Sequence, residues 1–92
     1  MHKYEATFIL SPSGEALEAG KTVLKSEFSK SDVKVLKEED KGQQELSYPI
    51  RKNNRGHYLY FELEAPPDSI SAIEKNLKIQ PEILKYLFIR VA

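Results

Sequence analysis

The run Arg51-Lys52-Asn53-Asn54-Arg55-Gly56-His57-Tyr58-Leu59-Tyr60-Phe61 gathers the residues of this sequence best suited to act on another molecule. From Leu46 to Phe61 there is no Asp or Glu, so Arg51, Lys52, Arg55 and His57 have no acidic neighbour in sequence. Guanidinium and ammonium groups neutralise phosphates, and asparagines between them can reach phosphate, sugar or base edges. An ordinary soluble turn has the same make-up, so the loop alone is weak evidence. Tyr58 and Tyr60 add a second chemistry, because rings two apart on one strand face can stack unpaired bases or be covered by a partner protein. Cross-strand aromatic packing is the plain alternative.

Other chemistry lacks its residues. There is no cysteine, hence no disulfide, thiolate or cysteine-ligated metal. His2 sits at a chain end and His57 opens a strand, so neither has a ligand partner at helical or hairpin spacing. Gly14 and Gly20 form no phosphate loop, and Ser11-Pro12-Ser13-Gly14 lacks the arginine of an acylphosphatase-type anion cradle. Glu38-Glu39-Asp40-Lys41 reads as a solvated run. No catalysis, small-molecule substrate, metal or cofactor is expected.

The elements that carry the basic loop follow from periodicity. Tyr4, Ala6, Phe8 and Leu10 alternate with Glu5, Thr7 and Ile9, a strand with one buried face. Leu17, Val23, Leu24 and Phe28 then follow helical spacing over Glu15 to Lys30, with Ser13 as the expected N-cap. Val33 and Val35 open a second strand, and Leu46, Tyr48 and Ile50 continue it with opposite parity. The register must therefore slip within the polar run Lys37 to Glu45, and Gly42 is the expected bulge.

Arg51 to Gly56 is expected as a hairpin loop. His57 to Ala65 is the clearest strand, with Leu59, Phe61 and Leu63 on the core face and Tyr58, Tyr60, Glu62 and Glu64 on the other. After Pro66-Pro67, with Asp68 or Ser69 as cap, Ile70, Ile73 and Leu77 mark a second helix. Leu87, Ile89 and Val91 alternate in a last strand.

This order predicts an α+β fold of the ferredoxin-like split β-α-β type (βαββαβ), a four-stranded antiparallel sheet with both helices on one face. Its 92 residues make one domain, 1–92, and 40% apolar with 30% charged residues is the composition of a folded protein. The 14 basic and 14 acidic residues cancel, so any nucleic-acid binding must rest on a local patch. MHKYEATFIL is interrupted by Lys3 and Glu5 and is too short for a secretory signal, and no run reaches membrane-spanning length, so a cytoplasmic location is expected.

The tyrosines fit an RNA-recognition motif poorly. A tyrosine replaces the small residue after the first aromatic of "RGHYLYF", and the first strand's open face offers Glu5, Thr7 and Ile9 but no ring. Tyr58 and Tyr60, with Tyr48, are expected to meet protein rather than stacked bases.

Tyr4-Glu5, Leu46-Ser47-Tyr48-Pro49-Ile50, Gly56-His57-Tyr58 and Glu64-Ala65-Pro66, with the spacing between them, resemble the bacterial small-subunit ribosomal protein six family from Lys3 to Val91. The resemblance implies a structural protein of the small subunit that binds central-domain 16S ribosomal RNA as a heterodimer with small-subunit ribosomal protein eighteen. It carries the family's basic N-terminal positions onto His2 and Lys3, the hairpin lysine onto Lys52, and the residue after the glycine onto His57. Arg51, Arg55 and Arg90 join them on charge and proximity.

Two departures stand out. Gln43, Gln44 and Glu45 occupy the place where many relatives have paired arginines, and relatives often extend past the last strand into a polar tail, whereas this sequence stops at Ala92. A small regulatory or protein-interaction domain of the same fold, using its open sheet face, is the alternative.

Overall fold

A computed structural model of the chain describes residues 2–91. In β1 (His2–Leu10) the two-residue period places Tyr4, Ala6, Phe8 and Leu10 on one side, and all are buried. There follow α1 (Gly14–Lys30), β2 (Lys34–Ile50), β3 (Asn53–Ala65), α2 (Pro67–Leu77) and β4 (Ile83–Val91). The strands make one four-stranded antiparallel sheet in the order β2-β3-β1-β4. This is the expected βαββαβ arrangement, with β1 and β3 central.

Both helices lie on the same face of the sheet. Leu24 and Phe28 of α1 and Ile70, Ile73 and Leu77 of α2 join the β1 residues and Leu59, Phe61 and Leu63 of β3 in a single core. Phe8 is its hub, with ring centroids 6.0 Å from Phe28, 5.6 Å from Phe61 and 5.5 Å from Phe88. The edge-on geometry of the last two suits aromatic quadrupoles. Buried Glu27 on α1 accepts from Asn76 Nδ2 of α2 at 2.7 Å, which pairs the carboxylate that helix packing desolvates.

Several local expectations shift. Ser13 takes the N-cap position of α1, but its hydroxyl makes no cap hydrogen bond. The cap of α2 falls on Pro66 rather than Asp68 or Ser69, because Pro67 has the fixed φ and missing N–H that suit the first helical position. β2 runs unbroken through the polar segment, but its register shifts at three places and not once, between Val35 and Lys37, between Asp40 and Gly42, and between Glu45 and Ile50; Gly42, with a φ of +79°, sits at the second.

The basic loop is shorter than expected. Ile50 already pairs with Asn53, so the turn is Arg51-Lys52 and β3 begins at Asn53. In β4 the alternation of Leu87, Ile89 and Val91 is real but points away from the core. Tyr86 pairs with Phe8 and Phe88 with Ala6, and these two pack on the helix side.

Candidate nucleic-acid and partner interface

The hairpin turn is braced from outside. Arg51 and Lys52 have φ of 48° and 67°, the sense a type I′ turn needs to match the sheet's twist. A residue with a Cβ is disfavoured there by about 1–2 kcal/mol. Arg51 Nη1 donates to the carbonyls of Gln80 and Pro81, both at 3.2 Å, tying the turn to the α2–β4 connection. Asn53 Nδ2 donates to the carbonyls of Ile50 at 3.3 Å and Arg51 at 3.2 Å.

The run free of acids in sequence is not free of them in space. Glu45 stands opposite Arg55 in the ladder, although the two form no ion pair. His57 Nε2 lies 2.6 Å from Asp40 Oδ1, on the helix side of the sheet, and Lys21 Nζ of α1 lies 3.6 Å from the other oxygen. Partial desolvation pulls the Asp40 carboxyl upward, but the Gly42 amide, His57 and Lys21 together hold it below its ordinary range. Lys52 and Arg55 are exposed and, among the described residues, make no side-chain hydrogen bond or salt bridge.

His2, Lys3 and Arg90 form a separate group. Arg90 Nη2 donates to His2 Nδ1 at 2.7 Å. Partial desolvation and that guanidinium hold the imidazole below its usual pKa, so His2 serves as a neutral acceptor at pH 7. His2 pairs with Ala65 and Leu10 with His57, so this group and the hairpin end occupy opposite ends of β1. Eight residues of strand put them roughly 26 Å apart. The seven residues read as RNA-binding are therefore two clusters.

Between the clusters lies the helix-free face. Direct pairing places Lys3, Glu5, Thr7 and Ile9 of β1 beside Glu64, Glu62, Tyr60 and Tyr58 of β3 and Val91, Ile89, Leu87 and Lys85 of β4. Glu5 and Glu62 stand directly opposite each other, a like-charge pair that costs stability. The Tyr60 hydroxyl donates toward an oxygen of each at 3.2 Å. Desolvation and the two carboxylates push its pKa up to about 12. Lys41 Nζ sits 5.6 Å from the same ring's centroid, so this ring is already engaged on both its hydroxyl and its face.

Leu87, Ile89 and Val91 are 54%, 50% and 42% exposed, an apolar stripe along β4 beside the acidic centre. At the hairpin end, Ile9, Leu46, Tyr48, Ile50, Tyr58 and Lys85 line a shallow depression, with Lys85 Nζ 3.4 Å from the Tyr48 hydroxyl. Tyr48 and Tyr58 thus line one depression, while Tyr60 stands apart among carboxylates.

The sequence reading missed Lys85 and the outward direction of the β4 stripe. The parity of Leu87, Ile89 and Val91 was visible, but Ile83, Leu84, Tyr86 and Phe88 make the strand's other face equally apolar. Only the pairing with β1 decides between them.

Relatives match along nearly the full chain. Residues 3–90 fit the family model described as Ribosomal protein S6. The small ribosomal subunit protein bS6 of Sulfurovum sp. (strain NBC37-1) is 34% identical over 92 residues, covering 98% of this chain and 72% of the relative. That of Treponema pallidum (strain Nichols) is 29% identical over 91 residues, covering 99% and 98%. The crystal structure of 30S ribosomal protein S6 from Thermotoga maritima superposes with a TM-score of 0.85 at 25% identity, covering 98% of this chain and 87% of that one. Agreement in both sequence and fold over this extent places the chain in the ribosomal protein S6 family, structural components of the small ribosomal subunit and not enzymes.

Proposed function

We propose that the chain binds central-domain 16S ribosomal RNA, in the cytoplasm, as a heterodimer with small-subunit ribosomal protein eighteen. The observation that carries this reading is the braced hairpin turn that holds out Lys52 and Arg55, exposed and without acidic partners among the described residues. Cations so placed supply salt-dependent phosphate affinity. Lys3 and Arg90 offer a second, distant point of contact.

The open face suits protein better than RNA. Glu5, Glu62 and Glu64 would repel phosphate, and the neighbouring Leu87, Ile89 and Val91 offer apolar area to bury. A basic partner that covers this face relieves the Glu5–Glu62 repulsion and adds phosphate contacts of its own.

The test is binding to central-domain junction RNA with and without protein eighteen. Tight binding is expected only with the partner. Equal binding without it, or none with it, overturns the cooperative reading. The apolar stripe also suits a small interaction domain unconnected with RNA, and co-sedimentation with the 30S particle separates that reading.

A further inference from the structure

We infer that Arg51 is a positioning residue and not itself a phosphate contact: its guanidinium selects the Arg51-Lys52 turn, and so fixes where Lys52 meets RNA. The inference rests on the proposed binding of ribosomal RNA at the hairpin end.

The chain holds a better turn sequence two residues further on. Asn53 and Asn54 belong to the residue type most tolerant of positive φ, whereas arginine and lysine are poor occupants of both central positions of a type I′ turn. Moving the turn from Arg51-Lys52 to Asn53-Asn54 would set Lys52 opposite Arg55 and displace Glu45 from its place there, so the shift has to be absorbed in the irregular stretch between Glu45 and Ile50. The Glu45–Arg55 pairing disfavours the shifted turn but lies beyond that irregular stretch, so contacts at the turn itself have to hold Arg51-Lys52 in place.

Three contacts favour the observed register. The Arg51 guanidinium reaches across the end of β1 to the carbonyls of Gln80 and Pro81. Leu46 packs above Gly56, where a Cβ would come within 3.3 Å of its side chain. Asn53, no longer in the turn, uses its amide to hold the carbonyls of Ile50 and Arg51. Of these, the Arg51 bonds are the ones that tie the turn to a distant element. A guanidinium directed at two backbone carbonyls is oriented toward the protein, while Lys52 beside it makes no bond among the described residues.

The test uses Arg51→Met, Arg51→Asn and Lys52→Ala in the full chain. Each is read by the Ile50–Asn53 pairing in the free protein's nuclear Overhauser contacts and by the salt dependence of binding to central-domain RNA with protein eighteen present. Arg51→Met should lose that pairing and bind roughly ten-fold more weakly, as expected when the competent turn is a minor state. Arg51→Asn removes the charge but supplies a residue that accepts positive φ, so it should restore the pairing and near-normal affinity. Its salt slope should match that of the parent chain, while Lys52→Ala should lower the slope by about one.

A slope lowered by about one in both Arg51 variants, with the pairing intact, would make Arg51 a direct contact and overturn the inference. So would an Arg51→Met variant with unchanged turn and affinity. If the parent chain itself fails to bind RNA in the partner's presence, the proposed function fails, and the pairing in Arg51→Met still decides whether Arg51 selects the turn.

Discussion

Gly56 and Ile9 compete for one volume: a β carbon on Gly56 would run into Cγ2 of Ile9, while Leu46 closes the space from the other side. The glycine between Arg55 and His57 is thus required by close packing of the hairpin over β1, not by its backbone angles. Gly56→Ala is expected to destabilise the chain by about 1–3 kcal/mol through overpacking. Urea unfolding measures it, and the loss should shrink clearly in an Ile9→Ala background, where the clashing methyl is gone. An equal loss in both backgrounds would mean that the two residues are not coupled.

Glu5 and Glu62 make the open face less stable than it need be. Replacing one carboxylate by an amide keeps the shape and removes a like-charge pair, so Glu62→Gln should stabilise the free chain by about 0.5 kcal/mol. If the proposed heterodimer forms through this face with a basic partner surface, the same change should weaken association with protein eighteen. Isothermal titration against the partner and thermal unfolding of the free chain read the two effects. A variant that gains stability and keeps full partner affinity would remove the acidic face from the interface.

What the sequence made legible follows from where burial imposes a period. β1 and β3 are central and lined by core on one side, so Tyr4, Ala6 and Phe8, and Leu59, Phe61 and Leu63, announced their face correctly. β2 is an edge strand without a single buried residue, and its middle carries no hydrophobic period to read. Its charges and the Gly42 bulge are also what protect such an edge from pairing with another chain. The turn was misjudged because local chemistry favours Asn53-Asn54, while Arg51 is held by carbonyls 29 and 30 residues away. Arg51, Lys52 and Arg55 are neighbours in sequence, whereas register alone shows that His2, Lys3 and Arg90 lie at the other end of β1.

The β4 stripe offers a cleaner separation of folding from binding than any core residue. Leu87 and Ile89 are about half exposed, so Leu87→Gln with Ile89→Gln should change stability by no more than about 0.5 kcal/mol per site. Partner affinity should fall by at least about ten-fold if the stripe is covered in the heterodimer. Unchanged partner binding would place protein eighteen on another surface.

Tyr60 provides a spectroscopic reporter for the centre of the same face. Its phenol is raised from 10.0 to about 12 by desolvation and by Glu5 and Glu62, because an added negative charge would stand between two carboxylates. The folded state therefore holds this proton more tightly than the unfolded state. The stabilising contribution is complete below pH 10 and is lost as pH rises from 10 toward 12. An ultraviolet tyrosinate titration of the folded chain should show a late component that disappears in Tyr60→Phe. Glu5→Gln with Glu62→Gln should move that component to lower pH. If the late component survives Tyr60→Phe, another tyrosine carries it, and the carboxylate pair is not what holds this proton.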